Sequence, residues 1–367
     1  MSTTIITGSH TIAFKGQQPQ PRCPDELLEH YQLIVDHRRL DWTEHLHLTR
    51  LLGTGGQGVV YLSERRGTDH FTLPVAVKVF SPERYKDARA YDEAMSRIAS
   101  VAGIVAQIQQ DNLLDVHNFI ERRRIRMMEM EWIDGYDLTR LLTPQMHQRV
   151  QERVSNRRWE HINNVIVTHG PVHPRLKPGV AVEVTRECLA ALAALHRRGI
   201  VHGDIKPANL MLKRVGTAKI VDIGSAFEIS NPPPQQTCTP SYAAPEVLEG
   251  AECTPLSDLA SLGYVLLEML SGRPLFAGIR DFTKLLEAKR NLPQRLNEIL
   301  PYEVTVNTLL MNFCRNMIAP DPMLRYPSAE AADMVQGGAA AFHRQLIKGD
   351  LASEYENEIR LWLEELD

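Results

Sequence analysis

The stretch that most constrains this chain is His202-Gly203-Asp204-Ile205-Lys206-Pro207-Ala208-Asn209, followed downstream by Asp222-Ile223-Gly224. An acid, a base and an amide fall within one short loop. The apolar runs Ile200-Val201 and Leu210-Met211-Leu212 on either side predict a buried scaffold that holds it rigid. Polar groups held in that way must converge on something. Asp204 suits accepting a proton from a hydroxyl, and Lys206 suits neutralising a phosphate oxygen. Asn209 and Asp222 supply the hard oxygen ligands that magnesium prefers. Together these groups describe phosphoryl transfer from a metal-bound nucleotide.

Composition narrows the setting. A chain of 367 residues has room for one large or two ordinary domains, and its 41 basic against 45 acidic residues give no electrostatic reason to expect nucleic acid or an anionic membrane as principal partner. Cys23, Cys188, Cys238, Cys253 and Cys314 are scattered, without a CxxC pair, which fits a reduced cytoplasm better than a disulfide framework or a zinc site. No apolar run reaches bilayer length and no signal-peptide pattern opens the chain, so a soluble protein is expected.

Along the chain, residues 1–24 are polar and rich in Gly, Gln and Pro, and read as a flexible arm. A helix is predicted from Pro24-Asp25 to Arg39, with Leu27, Leu28, Tyr31, Leu33, Ile34 and Val35 as its apolar stripe. A strand from His45 to Leu52 then runs into Gly53-Thr54-Gly55-Gly56-Gln57-Gly58-Val59-Val60-Tyr61. Glycines let backbone amides approach phosphate oxygens. A dinucleotide-binding fold needs a helix directly after such a loop, whereas Val59-Val60-Tyr61-Leu62 predicts a second strand and hence a hairpin lid, with Val60 against the base. The strand Val75-Ala76-Val77-Lys78-Val79 carries a Lys that needs a partner to stay charged among apolar neighbours.

A helix is predicted from Ala88 to Gln110, and strands over Leu113–Ile120 and Ile125–Glu131. Residues 143–179 form a long segment with Arg149, Arg153 and Arg157 at helical spacing; this is either a solvated basic face or a docking surface for an acidic or phosphorylated partner. A helix from Val180 to Arg198, stopped by Gly199, delivers the chain to the polar loop. The tail has Tyr355, Ile359, Trp362, Leu363 and Leu366 as a stripe, for packing on the preceding domain or for a dimer face.

These motifs, in this order, resemble the eukaryotic-like (Hanks-type) serine/threonine protein kinase family over the span from Leu46 to Arg325. The polar loop matches H-R-D-x-x-x-x-N with Gly203 in place of Arg, a non-RD variant, and Asp222-Ile223-Gly224 matches D-F-G with Ile in place of Phe. Loss of that Arg removes the usual partner of an activating phosphate. The resemblance implies an α+β bilobal fold: a β-rich small lobe over 45–133 after the arm and helix of 1–44, a mainly helical lobe over 134–330 containing the 143–179 insert, and a helical tail over 331–367. It implies ATP with Mg2+, Mn2+ being the alternative ion, and a protein substrate carrying a Ser or Thr acceptor.

Carried over position by position, the family pattern makes Asp204 and Lys206 catalytic and has Lys78 hold the α- and β-phosphates. Glu93 is the candidate partner of Lys78, although counting back from Asp111-Asn112-Leu113 lands near Val101, which would leave the pair absent. Thr239, in Thr237-Cys238-Thr239-Pro240, should hydrogen-bond Asp204 and Lys206. The nucleotide would be held by Leu52, Gly53, Thr54, Gly55, Gly56, Gln57, Gly58, Val60, Ala76, Met130 and Met211, and by the backbone of Glu131 and Ile133. Asp137 would reach a ribose hydroxyl or merely cap a helix, and Met211 would floor the adenine, join the core, or both. Asp258 should brace the catalytic loop, and Arg325 should pair with Glu246. Two rivals stand beside this reading: a small-molecule phosphotransferase of the aminoglycoside or choline type, and a catalytically weak pseudokinase scaffold.

Overall fold

The computed structural model describes residues 12–13, 25–37, 46–67, 69–234, 236–347 and 355–366. Most of the polar arm predicted as flexible, with Cys23, lies outside the described residues. Ile12–Ala13, inside that arm, forms a short strand, β1. Helix α1 (Asp25–His37) buries Leu27, Tyr31 and Ile34, positions on one helical face, against the domain that follows.

The small lobe is a five-stranded antiparallel sheet of β2 (His47–Gly55), β3 (Gly58–Arg66), β4 (Thr72–Phe80), β5 (Val116–Arg122) and β6 (Ile125–Glu131), in the order 2-3-4-6-5. Register pairs Val60 with Lys78, Lys78 with Met128 and Ala76 with Met130, so Val60, Ala76, Lys78 and Met130 share one sheet face. Helix α2 (Ala88–Val105) starts on an Asp87 cap and buries Tyr91, Met95, Ile98, Val101, Ala102 and Val105. It stops five residues before the predicted end at Gln110, because Gln107 and Ile108 turn back to the carbonyls of Ile104 and Val105.

The large lobe follows through β7 (Gly135–Asp137) and the short α3 (Leu138–Leu141). The insert folds as α4 (Pro144–Arg153), α5 (Asn156–Val165) and a hairpin of β8 (Val167–Thr168) and β9 (Arg175–Leu176), with Arg149, Arg153 and Arg157 exposed. Helix α6 (Pro178–Arg197) buries Val184, Cys188, Leu192 and Leu195, as its periodicity predicts, and ends at Gly199 with φ of +70°. Then come β10 (Ile200–Val201), β11 (Leu210–Lys213), β12 (Ala218–Ile220), β13 (Phe227–Glu228), β14 (Thr237–Cys238) and α7 (Pro245–Leu248). Helix α8 (Pro255–Ser271) is buried on nearly every side and forms the centre of this lobe.

The tail stripe is used within the chain. Tyr355, Ile359, Trp362, Leu363 and Leu366 are buried, and Arg158 on α5 donates to Glu358 at 3.1 Å and to Glu365 at 2.8 Å. The dimer-face alternative therefore loses its apolar surface to the large lobe. No helix among the described residues is long and apolar enough to cross a membrane.

Candidate active site

The cleft between the lobes is built from both sides. From below, β10 and β11 hold the loop 202–209 as the flanking apolar runs predict, with Ile200, Val201, Leu210 and Leu212 fully buried. Asp258 on α8 braces it: its carboxylate accepts from the backbone amides of His202 and Gly203, both at 2.9 Å, and lies 3.0 Å from His196 Nε2. His202 Nδ1 accepts from the Asp204 amide, which assigns the ring proton to Nε2 facing the Val221 carbonyl. Gly203 sits at φ of +76°, a left-handed conformation that costs an Arg or any other β-substituted residue free energy.

Within this frame Asp204 is a buried carboxylate receiving several donors. Thr239 donates to one oxygen at 2.7 Å, and Lys206 to the other at 2.7 Å. Lys206 also donates to Thr239 at 3.1 Å, closing a three-residue ring. Asn209 donates through Nδ2 to the Asp204 carbonyl at 2.8 Å, which leaves Oδ1 as its remaining acceptor. The segment carrying Thr239 is pinned to the lobe by a bidentate pair, Arg325 to Glu246 at 2.7 Å on both arms, with the Arg side chain fully buried.

From above, Lys78 reaches down from β4. It is 4% exposed, donates to Gln57 Oε1 at 2.7 Å and forms an ion pair with Asp222. Asp222 occupies a left-handed backbone conformation, φ 62° and ψ 75°, that turns its side chain back onto the Gly224 amide. Burial alone would raise its carboxyl, but the adjacent Lys78 ammonium and these hydrogen bonds bring it down to about 2.

Glu93 is not brought to Lys78, which corrects the assignment made from the family pattern. It lies two residues beyond the buried Tyr91, about 200° around the helix, and so faces outward. There it accepts from Arg89 at 2.8 Å with about half of its side chain exposed. Among the described residues no other helix carboxylate takes its place; Gln57 does so in part. That side chain spans the cleft, its amide nitrogen donating to Ser225 Oγ at 3.0 Å. The sequence names Gln57 as a nucleotide-holding residue of the glycine hairpin, but its reach to Lys78 and Ser225 was not legible.

The glycine hairpin turns at Gly56-Gln57, between the paired Gly55 and Gly58. A Cβ on Gly58, at φ +138°, would fall 2.0 Å from the Val79 carbonyl, whereas Gly53, Gly55 and Gly56 have open space. Beneath it, Val60 and Ala76 share their face with Met130, while Leu52 and Thr54 are exposed on β2. Glu131 is fixed by its amide on the Asp115 carbonyl and by Lys219 on its carboxylate, and the Ile133 amide has no backbone partner among the described residues. Met211 pairs with Asp137 across β11 and β7 and is half-buried. Asp137 caps α3 by accepting from the Arg140 amide at 3.0 Å, the plainer of its two predicted uses.

Lys289 was missed altogether. On the helix Phe282–Asn291 it is fully buried between the rings of Tyr264 and Phe276, at 4.0 and 4.1 Å, and donates to the Ser241 carbonyl at 2.8 Å, holding the turn after Thr239. Burial pushes its ammonium well below the ordinary lysine range. Beside Arg290, the sequence shows only a polar helix end.

A cleft with a glycine hairpin above, and an acid, a lysine, an amide and a second acid below, has the architecture of the cleft between the two lobes of a protein kinase domain. The protein kinase domain family matches residues 46–335, and the chain belongs to that family. It is similar to serine/threonine-protein kinase PrkC of Bacillus subtilis (strain 168), 27% identical over 290 residues, covering 77% of this chain and 38% of that protein. PknD of Mycobacterium tuberculosis (strain ATCC 25618 / H37Rv) is 33% identical over 231 residues, 62% of this chain and 30% of the relative. PknA of M. tuberculosis (strain ATCC 25177 / H37Ra) is 30% identical over 301 residues, 79% and 61% respectively. The chain thus spans 30% to 61% of the length of these relatives.

Proposed function

We propose that this protein transfers the γ-phosphoryl group of MgATP to Ser or Thr hydroxyls of protein substrates. One observation carries the reading: Thr239, in the segment pinned by Arg325 and Glu246, is hydrogen-bonded to both Asp204 and Lys206. A small-molecule phosphotransferase has no need to tie a peptide-docking segment to its catalytic carboxylate. The Lys206 and Thr239 pair is also the serine/threonine-type marker of the family pattern.

Asp204 accepts the acceptor hydroxyl's proton as its oxygen attacks the γ-phosphorus, and Lys206 stabilises the charge on the phosphoryl in transit. Lys78 and the amides of Gly53 to Gly58 hold the phosphates; Leu52, Val60, Ala76, Met130 and Met211 enclose the base, with the backbone of Glu131 and Ile133 as its hydrogen-bonding edge and Asp137 beside the ribose. Asn209 Oδ1 and the ionised Asp222 form an oxygen donor set suited to Mg2+, with Mn2+ as the alternative. When bound, the ion neutralises phosphate charge and orients the triphosphate. The scattered free cysteines favour a reduced cytoplasm as the setting. Arg149, Arg153 and Arg157 on the insert would serve an acidic docking partner.

The absent helix carboxylate at Lys78 favours a second reading, a nucleotide-binding scaffold with little turnover. A radiolabelled γ-phosphate assay with magnesium, comparing wild type with Asp204→Ala and offering a generic protein beside aminoglycosides, separates the readings. Label on protein Ser or Thr, lost in Asp204→Ala, is expected. Label only on the small molecule, or tight ATP binding without turnover, overturns the proposal.

A further inference from the structure

Lys219 is a further buried lysine beside the cleft, with no part in the transfer chemistry. It lies on β12, just upstream of Asp222, and is 2% exposed. Register places it opposite Met211, and Met211 opposite Asp137, so the three side chains leave the same face of the sheet β12-β11-β7. From that face its ammonium forms an ion pair with the carboxylate of Glu131, the last residue of β6. The same carboxylate oxygen accepts from the Asp115 amide at 2.7 Å, and the Glu131 amide donates to the Asp115 carbonyl at 3.0 Å.

β12 is itself tied on all sides. Ala218 donates to Glu187 at 2.7 Å, Ile220 donates to the Asn112 carbonyl at 2.8 Å and accepts from Leu114 at 3.0 Å, and Val221 donates to the Asn209 carbonyl at 2.9 Å. Lys219 therefore springs from a fixed strand that runs into Asp222 and is bonded to the loop carrying Asn209. It ends on the residue whose backbone borders the base. Stability does not call for a charge at this place: apolar groups of similar volume often replace a buried ion pair without loss, because desolvation offsets the attraction. What the pair adds is direction, since the backbone of Glu131 cannot turn without breaking the contact.

We propose that Lys219 is a positioning residue for the nucleotide base: through the Glu131 carboxylate it holds the backbone edge from Glu131 to Ile133 in register with the Met211 floor and with Asp222. The inference rests on the nucleotide reading of the cleft. Contacts to the base lie away from the reacting phosphorus and act equally on bound substrate and transition state, so their disturbance appears in KM and leaves kcat.

The test measures adenosine binding by calorimetry, and KM for ATP and kcat with a generic protein acceptor, on the full chain. Lys219→Met keeps the length of the side chain and removes its charge. It should weaken adenosine and raise KM for ATP by the same factor, about five- to tenfold, with kcat within about twofold of wild type. Glu131→Gln breaks the pair from its partly exposed end, should weaken adenosine to a similar degree, and reads the same contact should Lys219→Met not fold. The double variant should bind adenosine no more weakly than Lys219→Met, since both changes remove one interaction. Unchanged adenosine affinity in the variants, additive losses in the double variant, or a fall in kcat at unchanged adenosine affinity overturns the inference and leaves the kinase reading standing. Weakened adenosine binding in the variants of a protein that transfers no phosphoryl group supports the inference and overturns the kinase reading. A wild type that neither binds adenosine nor transfers phosphate overturns both.

Discussion

At its 4% exposed position Lys78 is faced by Asp222 and Gln57, not by a carboxylate from a helix. Glu93, turned outward and paired with Arg89, has an ordinary surface role. Glu93→Gln should accordingly change γ-phosphoryl transfer by less than about twofold, whereas Lys78→Met should lower it by about a hundredfold or more, in steady-state assays with saturating magnesium. Loss of turnover in Glu93→Gln would restore the family's usual ion pair. The folded-state pKa of Asp222, about 2, lies below its ordinary 3.8, so the pair's stabilisation is complete above that ordinary value and disappears as pH falls through 2. Most polar residues of the cleft were legible because their spacing is fixed by the loop that carries them. Gln57 was legible as part of the glycine hairpin but its bond to Lys78 was not, and Lys289 was not legible at all, since these partners lie on distant segments.

Helix α6 shows how an element with a legible apolar face carries a buried carboxyl that the pattern does not explain. Glu187 accepts from the Ala218 amide on β12 at 2.7 Å, and burial raises its carboxyl to about 8, the nearby Glu183 and Glu356 adding to the shift. The folded state then holds a proton that the unfolded chain releases from about 4.5 upward, so this group makes the fold less stable as pH rises from about 4.5 to 8. Glu187→Gln should therefore raise the thermal midpoint relative to wild type by an amount that grows across that window and levels off above it. A gap independent of pH would rule out the buried proton. Boundaries of elements were less legible than their kind. The strand predicted from Leu113 begins only at Val116, because Leu113 makes an isolated bridge to Ile220 and Leu114 is buried without joining the sheet. Apolar patterning reports burial and is silent about which backbone supplies the hydrogen bonds.

At the scale of the molecule, the tail is part of the large lobe. Trp362 is 2% exposed on the helix Tyr355–Glu364, and Arg158 of the insert faces Glu358 and Glu365 next to it. Trp362→Ala should cost about 3–5 kcal/mol in chemical denaturation, because a large side chain leaves a cavity that its neighbours fill only in part. A loss within the range typical of surface substitutions would mean that the tail docks loosely. The insert and tail, which the family pattern does not require, thus hold each other in place. The exposed Arg149, Arg153 and Arg157 remain outside that contact.

The sequence by itself determined the lobes, their order, and the acid, base and amide of the loop 202–209, because short-range spacing and apolar periodicity act within a few residues of the groups they position. Only the tertiary structure decided which partner Lys78 takes, where the tail lies, and which carboxylate Lys219 holds. Those outcomes depend on segments far apart in the chain meeting with a particular rotation and register, and a helix face turned by 200° or a strand shifted by one residue leaves the local pattern unchanged while altering every contact.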